Sequence, residues 1–293
     1  MKSGFITMLV ISVLFLSSCE KGVEFELDDV AAKLVVEATI ENGQAPVVSL
    51  SRSQAFFSQI DFTVLANSFV RNAEVYVSNG IVTHKLKEYT VPVVPGINFY
   101  YYSNDPASPA TAVFGELKKQ YTLRIIAEGK EYTAITTIPD TTKRVDSLFS
   151  RPAPAGNPPG KVAVMARIFD PPGFGDYIRY FTRRNREPFY PGYSVFDDKV
   201  IDGSSYEVLV ERGVDRNNGQ DDDSFFEKGD TVTVKLCNID KATYDFWRTM
   251  EYTYSSVGNP FSSPTKVVNN IKGGGLGYFG GYAVQYHTII IPR

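Results

Sequence analysis

The chain is poor in the residues from which most metal and nucleophile sites are built, with 2 cysteines, 2 histidines and 1 tryptophan in 293 residues. Neither His84 nor His287 has a second His or Cys at the close spacing of a zinc site. The two also fall in different halves of the chain, whereas a Ser-His-Asp set needs its members within hydrogen-bond reach. Catalysis and a bound cofactor are therefore not expected. A surplus of positive charge is lacking as well: 30 Lys and Arg stand against 33 Asp and Glu, a net charge of -3. Nothing suggests the concentrated basic face of a nucleic-acid binder. Long apolar runs are missing too, since the stretch from Phe5 to Leu16 falls short of the roughly 20 residues that span a bilayer.

That short run is nevertheless the most informative feature present. Lys2, the apolar stretch and Leu16-Ser17-Ser18-Cys19 read as a secretory signal over residues 1–18 with a small-residue cleavage site. The ending resembles the bacterial lipobox, whose cysteine is acylated and becomes the first residue of the mature protein. Palmitate-like chains on Cys19 would anchor the protein in a membrane, because each buried methylene contributes about 0.8 kcal/mol and several chains hold far better than one. Residues 19–32 form an acidic tether containing Glu20, Glu24, Glu26, Asp28 and Asp29. It resembles the export signal of Bacteroidetes surface lipoproteins, and a plain solvated linker would carry the same charges. The expectation is an outer-membrane lipoprotein, with the cell surface favoured over the periplasmic face. With Cys19 consumed, Cys237 is left alone in a strand-like run, where it cannot form an internal disulfide and reads as a small buried hydrophobe.

The remainder alternates like strands. Lys33 to Ile40 and Val47 to Arg52 flank Asn42-Gly43, Ala73 to Ser78 leads through Asn79-Gly80 into Ile81-Val82-Thr83, and Tyr121 to Ile126 returns through Glu128-Gly129 as Tyr132 to Ile138. Such pairs divided by turn residues predict hairpins. A mostly β fold follows, with two antiparallel immunoglobulin-like β-sandwich domains at 33–140 and 145–293. The proline-rich stretch from Pro152 to Gly160 is either a linker or a loop of the second sandwich; the loop is preferred, because Val145 to Phe149 looks like a first strand. The one expected helix, near 241–254, is capped by Asp240 and carries Thr243, Phe246, Trp247, Met250 and Tyr254 on one face, set to pack on the second sheet.

In this order, Cys19-Glu20-Lys21, Lys33-Leu34-Val35-Val36-Glu37, Tyr121-Thr122-Leu123-Arg124, Gly229-Asp230-Thr231-Val232-Thr233-Val234 and Gly275-Leu276-Gly277-Tyr278-Phe279-Gly280 resemble a family of Bacteroidetes lipoproteins, the domain of unknown function forty-two forty-nine. The resemblance implies a setting beside TonB-dependent receptors and an accessory role in nutrient capture. It transfers no catalytic or binding residue.

Three stretches are candidates for binding. Tyr100, Tyr101 and Tyr102 form one aromatic cluster, and Phe189, Tyr190 and Tyr193 another; both sit beside turn residues, where rigid rings suit contact with a glycan, a peptide or a receptor loop. Strand packing is the competing explanation for each. Asp215, Asn217, Asp221 and Asp223 make an oxygen-rich loop of the kind that can hold calcium. It departs from an EF-hand, with Gly219 at the fifth ligand position, so a solvated loop is preferred. The glycine-rich stretch from Gly273 to Gly281 precedes a strand instead of opening a helix, which disfavours a phosphate cradle and suits a close-packed turn or bulge. The leading expectation is a non-enzymatic binding or docking accessory to a TonB-dependent receptor. A carbohydrate-active or other hydrolase at the cell surface and an adhesin or structural module are the alternatives.

Overall fold

Alternation of apolar and polar residues sets most of the strands in the computed structural model, which describes residues 31–54, 62–95, 97–215, 224–256 and 265–293. The signal, Cys19 and most of the tether lie outside the described residues. In β1 (Leu34–Glu41), Leu34, Val36, Ala38 and Ile40 point to one face and are buried, while Glu37 on the other is exposed. β2 (Val47–Arg52) pairs with it as an antiparallel hairpin. β3 (Glu74–Ser78) and β4 (Thr83–Lys85) also pair, but the second strand begins at Thr83, later than Ile81. The Asn79 side-chain oxygen accepts from the amides of Ile81 and Val82 at 3.0 and 2.9 Å, which holds both residues in the turn.

β5 (Lys87–Val94) and β6 (Ile97–Ser103) form the next hairpin, followed by β7 (Lys119–Ala127) and β8 (Lys130–Ile138). The β7–β8 turn has positive φ at Glu128 (52°) and Gly129 (75°), the type I′ geometry that matches strand twist. A short helix, Phe62–Ser68, was not among the elements expected from the sequence.

The second half contributes β9 (Arg144–Pro152), β10 (Lys161–Phe169), β11 (Tyr177–Arg184), β12 (Val195–Phe196), β13 (Ser205–Val210), β14 (Phe226–Glu227) and β15 (Thr231–Ile239). A long helix, Lys241–Ser256, and β16 (Leu276–Ile290) complete the chain. β9 and β10 pair antiparallel, so the proline-rich stretch is the loop between them.

The mostly β class, the antiparallel sheets and the helix near the C-terminus accord with the sequence. The two halves are joined by a common wall, an eight-stranded sheet in the order β12-β11-β15-β16-β1-β2-β6-β5. Its one parallel pair, β1 with β16, aligns Val35 with Leu276 through Glu41 with Tyr282. Two four-stranded sheets lie against one face of this wall: β4-β3-β7-β8, and β10 with β9, β13 and β14. Side chains of β16 show the arrangement, since Phe279 and Ala283 enter the first core and Ile289, from the same face, packs on the second.

The crossover between halves is pinned by hydrogen bonds. The Lys143 amide donates to Asn238 Oδ1 at 2.9 Å, and its carbonyl accepts from Asn238 Nδ2 and Gln285 Nε2, each at 2.9 Å. Lys143 Nζ forms a fully buried ion pair with Asp170 at 3.2 Å.

On the opposite face of the wall, Tyr278 and Tyr282 pack with Cys237, Ile239 and the long helix. Asp240 caps that helix, accepting from the Thr243 amide at 2.8 Å, and its second oxygen accepts from Thr136 Oγ1 and the Thr137 amide of β8, both at 2.9 Å. The expected apolar stripe is buried only in its first half: Met250 and Tyr254 are exposed, and Tyr244 is buried instead. Beyond Trp247 the helix is flanked by loops, with Glu251 bonded to Ser194 and Thr249 to the Val268 amide.

Candidate functional site

Alternation splits the first aromatic cluster. Tyr102 points into the first core, where its hydroxyl accepts from the Ala73 amide at 3.0 Å and donates to Glu88 Oε2 at 2.8 Å. Tyr100, half-buried, lies under the Arg71 guanidinium at 4.1 Å. Tyr101 faces the other way and stacks on Tyr89 at 5.3 Å, beside exposed Phe99 and Val91. Phe189, Tyr190 and Tyr193 lie after β11, near the opposite edge of the eight-stranded sheet, so the two clusters are not brought together. Phe189 packs near Tyr286 at 5.8 Å, Tyr190 pairs its backbone with Thr182, and Tyr193 is exposed. Of the acidic loop, Asn217, Asp221 and Asp223 lie outside the described residues. Among the described residues, no His, Cys, Asp and Glu side chains converge as a metal site.

His84 is buried in the first half. Its Nδ1 lies 2.8 Å from Thr111 Oγ1 and its Nε2 accepts from the Asp105 amide at 2.9 Å, which makes Nδ1 the protonated nitrogen and the ring neutral. Burial lowers its pKa, with Asp105 opposing. His287 lies on β16 in the second half, its pKa also lowered by burial. Cys237 is enclosed, and burial pushes its thiol up to about 12.

A concave feature lies in the second half, between residues of the two sheets and the long helix. Ala166 of β10 and Val208 and Val210 of β13 pack with Ile178 of β11 and Val234 of β15, and an open cavity of about 640 Å³, lined by them and by Val195, Phe196, Val200, Ile201 and Leu209, lies at the edge of that core. Its volume lies within the roughly 300–1,000 Å³ of small-molecule sites. Mutational cavities in cores cost about 24 cal/mol per Å³, a rate that would put a sealed void of this size near ~15 kcal/mol. That equals the upper end of a whole domain's net stability, about 5–15 kcal/mol. The space is therefore one that solvent or a ligand occupies, and aliphatic walls offer water few partners.

The mouth is polar. Tyr244 from the long helix donates to Asp197 Oδ2 at 2.9 Å and accepts from Arg248 Nη1 at 2.9 Å. Lys199 Nζ lies 3.1 Å and Arg248 Nη1 3.7 Å from the same carboxylate oxygen. Burial raises the Asp197 pKa, but the Tyr244 and Lys199 hydrogen bonds outweigh it and hold the carboxyl below its usual range. Burial and the Asp197 hydrogen bond move the Tyr244 hydroxyl in the opposite direction, up. Val200 and Ile201 extend the apolar lining to the surface, where Val200 is 93% exposed.

Sequence reasoning missed this cavity, since its walls are ordinary strand residues. The available signal was Val200-Ile201, an apolar pair in a charged loop between Lys199 and Asp202. Tyr244, one position off the expected helix stripe, is the other feature that would have pointed to the mouth.

Residues 20–288 match a family model described as Domain of unknown function (DUF4249), and the chain belongs to that family. No curated protein matches it.

Proposed function

We propose that this protein is a non-enzymatic ligand-binding lipoprotein of the outer membrane, anchored through acylated Cys19 and serving a TonB-dependent receptor in nutrient uptake at the cell surface. The observation that carries the binding role is the apolar cavity of about 640 Å³ with a polar mouth. Its walls are chiefly aliphatic, and the carboxylate at its mouth is already occupied by Tyr244, Lys199 and Arg248, which suits holding a molecule more than transforming it. The anchor and location rest on the lipobox and acidic tether, and the receptor on the family resemblance. The outward aromatic face at Tyr89, Phe99 and Tyr101 supplies a surface on which a barrel or its loops would dock.

The test uses the mature soluble chain and the neutral fluorescent probe N-phenyl-1-naphthylamine. One probe should bind per chain, and Ala166→Phe, which places a ring inside the cavity, should abolish binding while the melting transition persists. Absence of saturable binding, or unchanged binding by a folded Ala166→Phe variant, would remove the cavity as the site. For the partner, membrane co-purification of the acylated protein should recover a barrel receptor, and its repeated absence would count against docking.

A further inference from the structure

We infer that the cavity takes an amphiphile with a single carboxylate head, its apolar body between the sheets and its head at Lys199 and Arg248. The inference rests on the reading of the cavity as a ligand site and adds the chemistry of the ligand. Three features of the mouth and walls lead to it.

First, among the residues that line the cavity, two cations, Lys199 and Arg248, share one carboxylate, Asp197. Asp197 is already approached by three donors, and its side chain is 16% exposed, whereas those of Lys199 and Arg248 are 68% and 59% exposed with donor hydrogens to spare. The planar Arg248 fork suits the two oxygens of a carboxylate. An ammonium head would meet two cations instead.

Second, polarity divides along the cavity. Ala166, Ile178, Val208, Val234 and Leu236 form walls without hydrogen-bonding side chains, so a sugar or peptide would leave hydroxyls or amides unpaired there. Phe196, Val200 and Ile201 continue the apolar surface out to the opening. A ligand matched to this gradient is apolar along its body and charged at one end.

Third, the head is directed to the mouth and not to the wall at Tyr206. Burial first, and then the nearby Asp170 and Asp198, raise the pKa of the Tyr206 hydroxyl. Asp170 is paired with buried Lys143, so it is the Asp198 carboxylate that makes that wall a poor neighbour for an anion.

The experiment compares displacement of N-phenyl-1-naphthylamine by hexadecanoate, hexadecanol and hexadecyltrimethylammonium on the wild-type mature chain and on a Lys199→Ala, Arg248→Ala double variant. The wild type should prefer hexadecanoate over the alcohol by about tenfold, as expected for charge-assisted hydrogen bonds at a partly exposed rim. The preference should shrink as salt is raised. The double variant should lose this preference while binding hexadecanol as before, which separates loss of the head contact from loss of fold. Equal affinity for all three amphiphiles, or an undiminished hexadecanoate preference in the double variant, would overturn the carboxylate assignment and leave the apolar cavity standing. Failure of the naphthylamine probe to bind at all would instead remove the underlying reading.

Discussion

Gly277 offers a severe test of the shared wall, because it stands where β1 meets β16. It pairs with Val36 in the parallel β1–β16 ladder at φ 101°, and a Cβ built there would lie 1.9 Å from the Val36 carbonyl oxygen. Val36 is fully buried and is paired on its other side with Leu50 of β2, so it has little room to retreat. Gly277→Ala therefore combines two costs: about 1–2 kcal/mol for an L-residue at positive φ and about 1–3 kcal/mol for overpacking. Gly274 separates them, since its φ is 86° but no atom lies within 4 Å of its notional Cβ. Gly274→Ala should show the conformational cost alone.

Urea unfolding of both variants measures the difference. With a slope of about 3 kcal/mol per molar, Gly277→Ala should lower the midpoint by about 1 M and Gly274→Ala by about 0.5 M. Unfolding should remain a single transition, because β16 belongs to both cores. Equal midpoint shifts would refute the close approach of β1 to β16, and a biphasic curve in which one half melts first would refute the coupling through the shared sheet.

Lys143→Met should cost about 3–5 kcal/mol by stranding the buried Asp170 carboxylate, and adding Asp170→Leu should recover most of it; denaturant midpoints of the two variants decide. His84 is held neutral by burial, so the unfolded chain takes up protons at a higher pH than the native one. Its contribution to stability is complete above the ordinary histidine range, near pH 6.5, and diminishes as pH falls below it. His287 acts in the same sense, so His84→Gln should reduce the slope of stability against pH without removing it, as read from melting temperatures across that interval. Tyr102→Phe should cost about 1–3 kcal/mol by leaving the Ala73 amide and Glu88 without their hydroxyl partner, whereas Tyr101→Ala on the outward face should cost about 1 kcal/mol or less; thermal melts of the two should differ accordingly.

Local pairings were legible in the sequence and long-range ones were not, for a physical reason. The hairpins β1–β2, β7–β8 and β9–β10 join neighbouring stretches through turns whose residues declare themselves. The β1–β16 pair joins the two ends of the described chain, and no periodicity in either strand says which distant edge it meets. The helix was legible by its cap and spacing, but spacing gave the face and not how far the sheet would reach beneath it, hence the exposure of Met250 and Tyr254. The short helix Phe62–Ser68 is too brief to show a clear period. Alternation correctly sent Tyr101 away from Tyr100 and Tyr102, while the cavity left no mark: Val208 or Val234 reads the same facing a neighbour or facing open space.

Each half has a packed core, and the cavity opens beside the second. Both are built against the same wall, and the first is closed by large side chains, Tyr102, Tyr121, Tyr132 and Phe279, from several strands. The second is closed by Phe226, Ile168, Leu236 and Ile291, and the cavity mouth lies at its edge beside β12, a strand of only two residues. An opening at a short edge strand leaves the long ladders undisturbed, since β15 pairs continuously with both β11 and β16 behind it. A cavity backed by such ladders needs little ordering when a ligand enters, and the ordering cost is one of the main losses on binding. The single transition expected from the shared wall also sets an expectation for binding: anything that binds only the folded state is linked to unfolding of the whole cooperative unit, so a ligand in the second half should raise the melting temperature of the first as well.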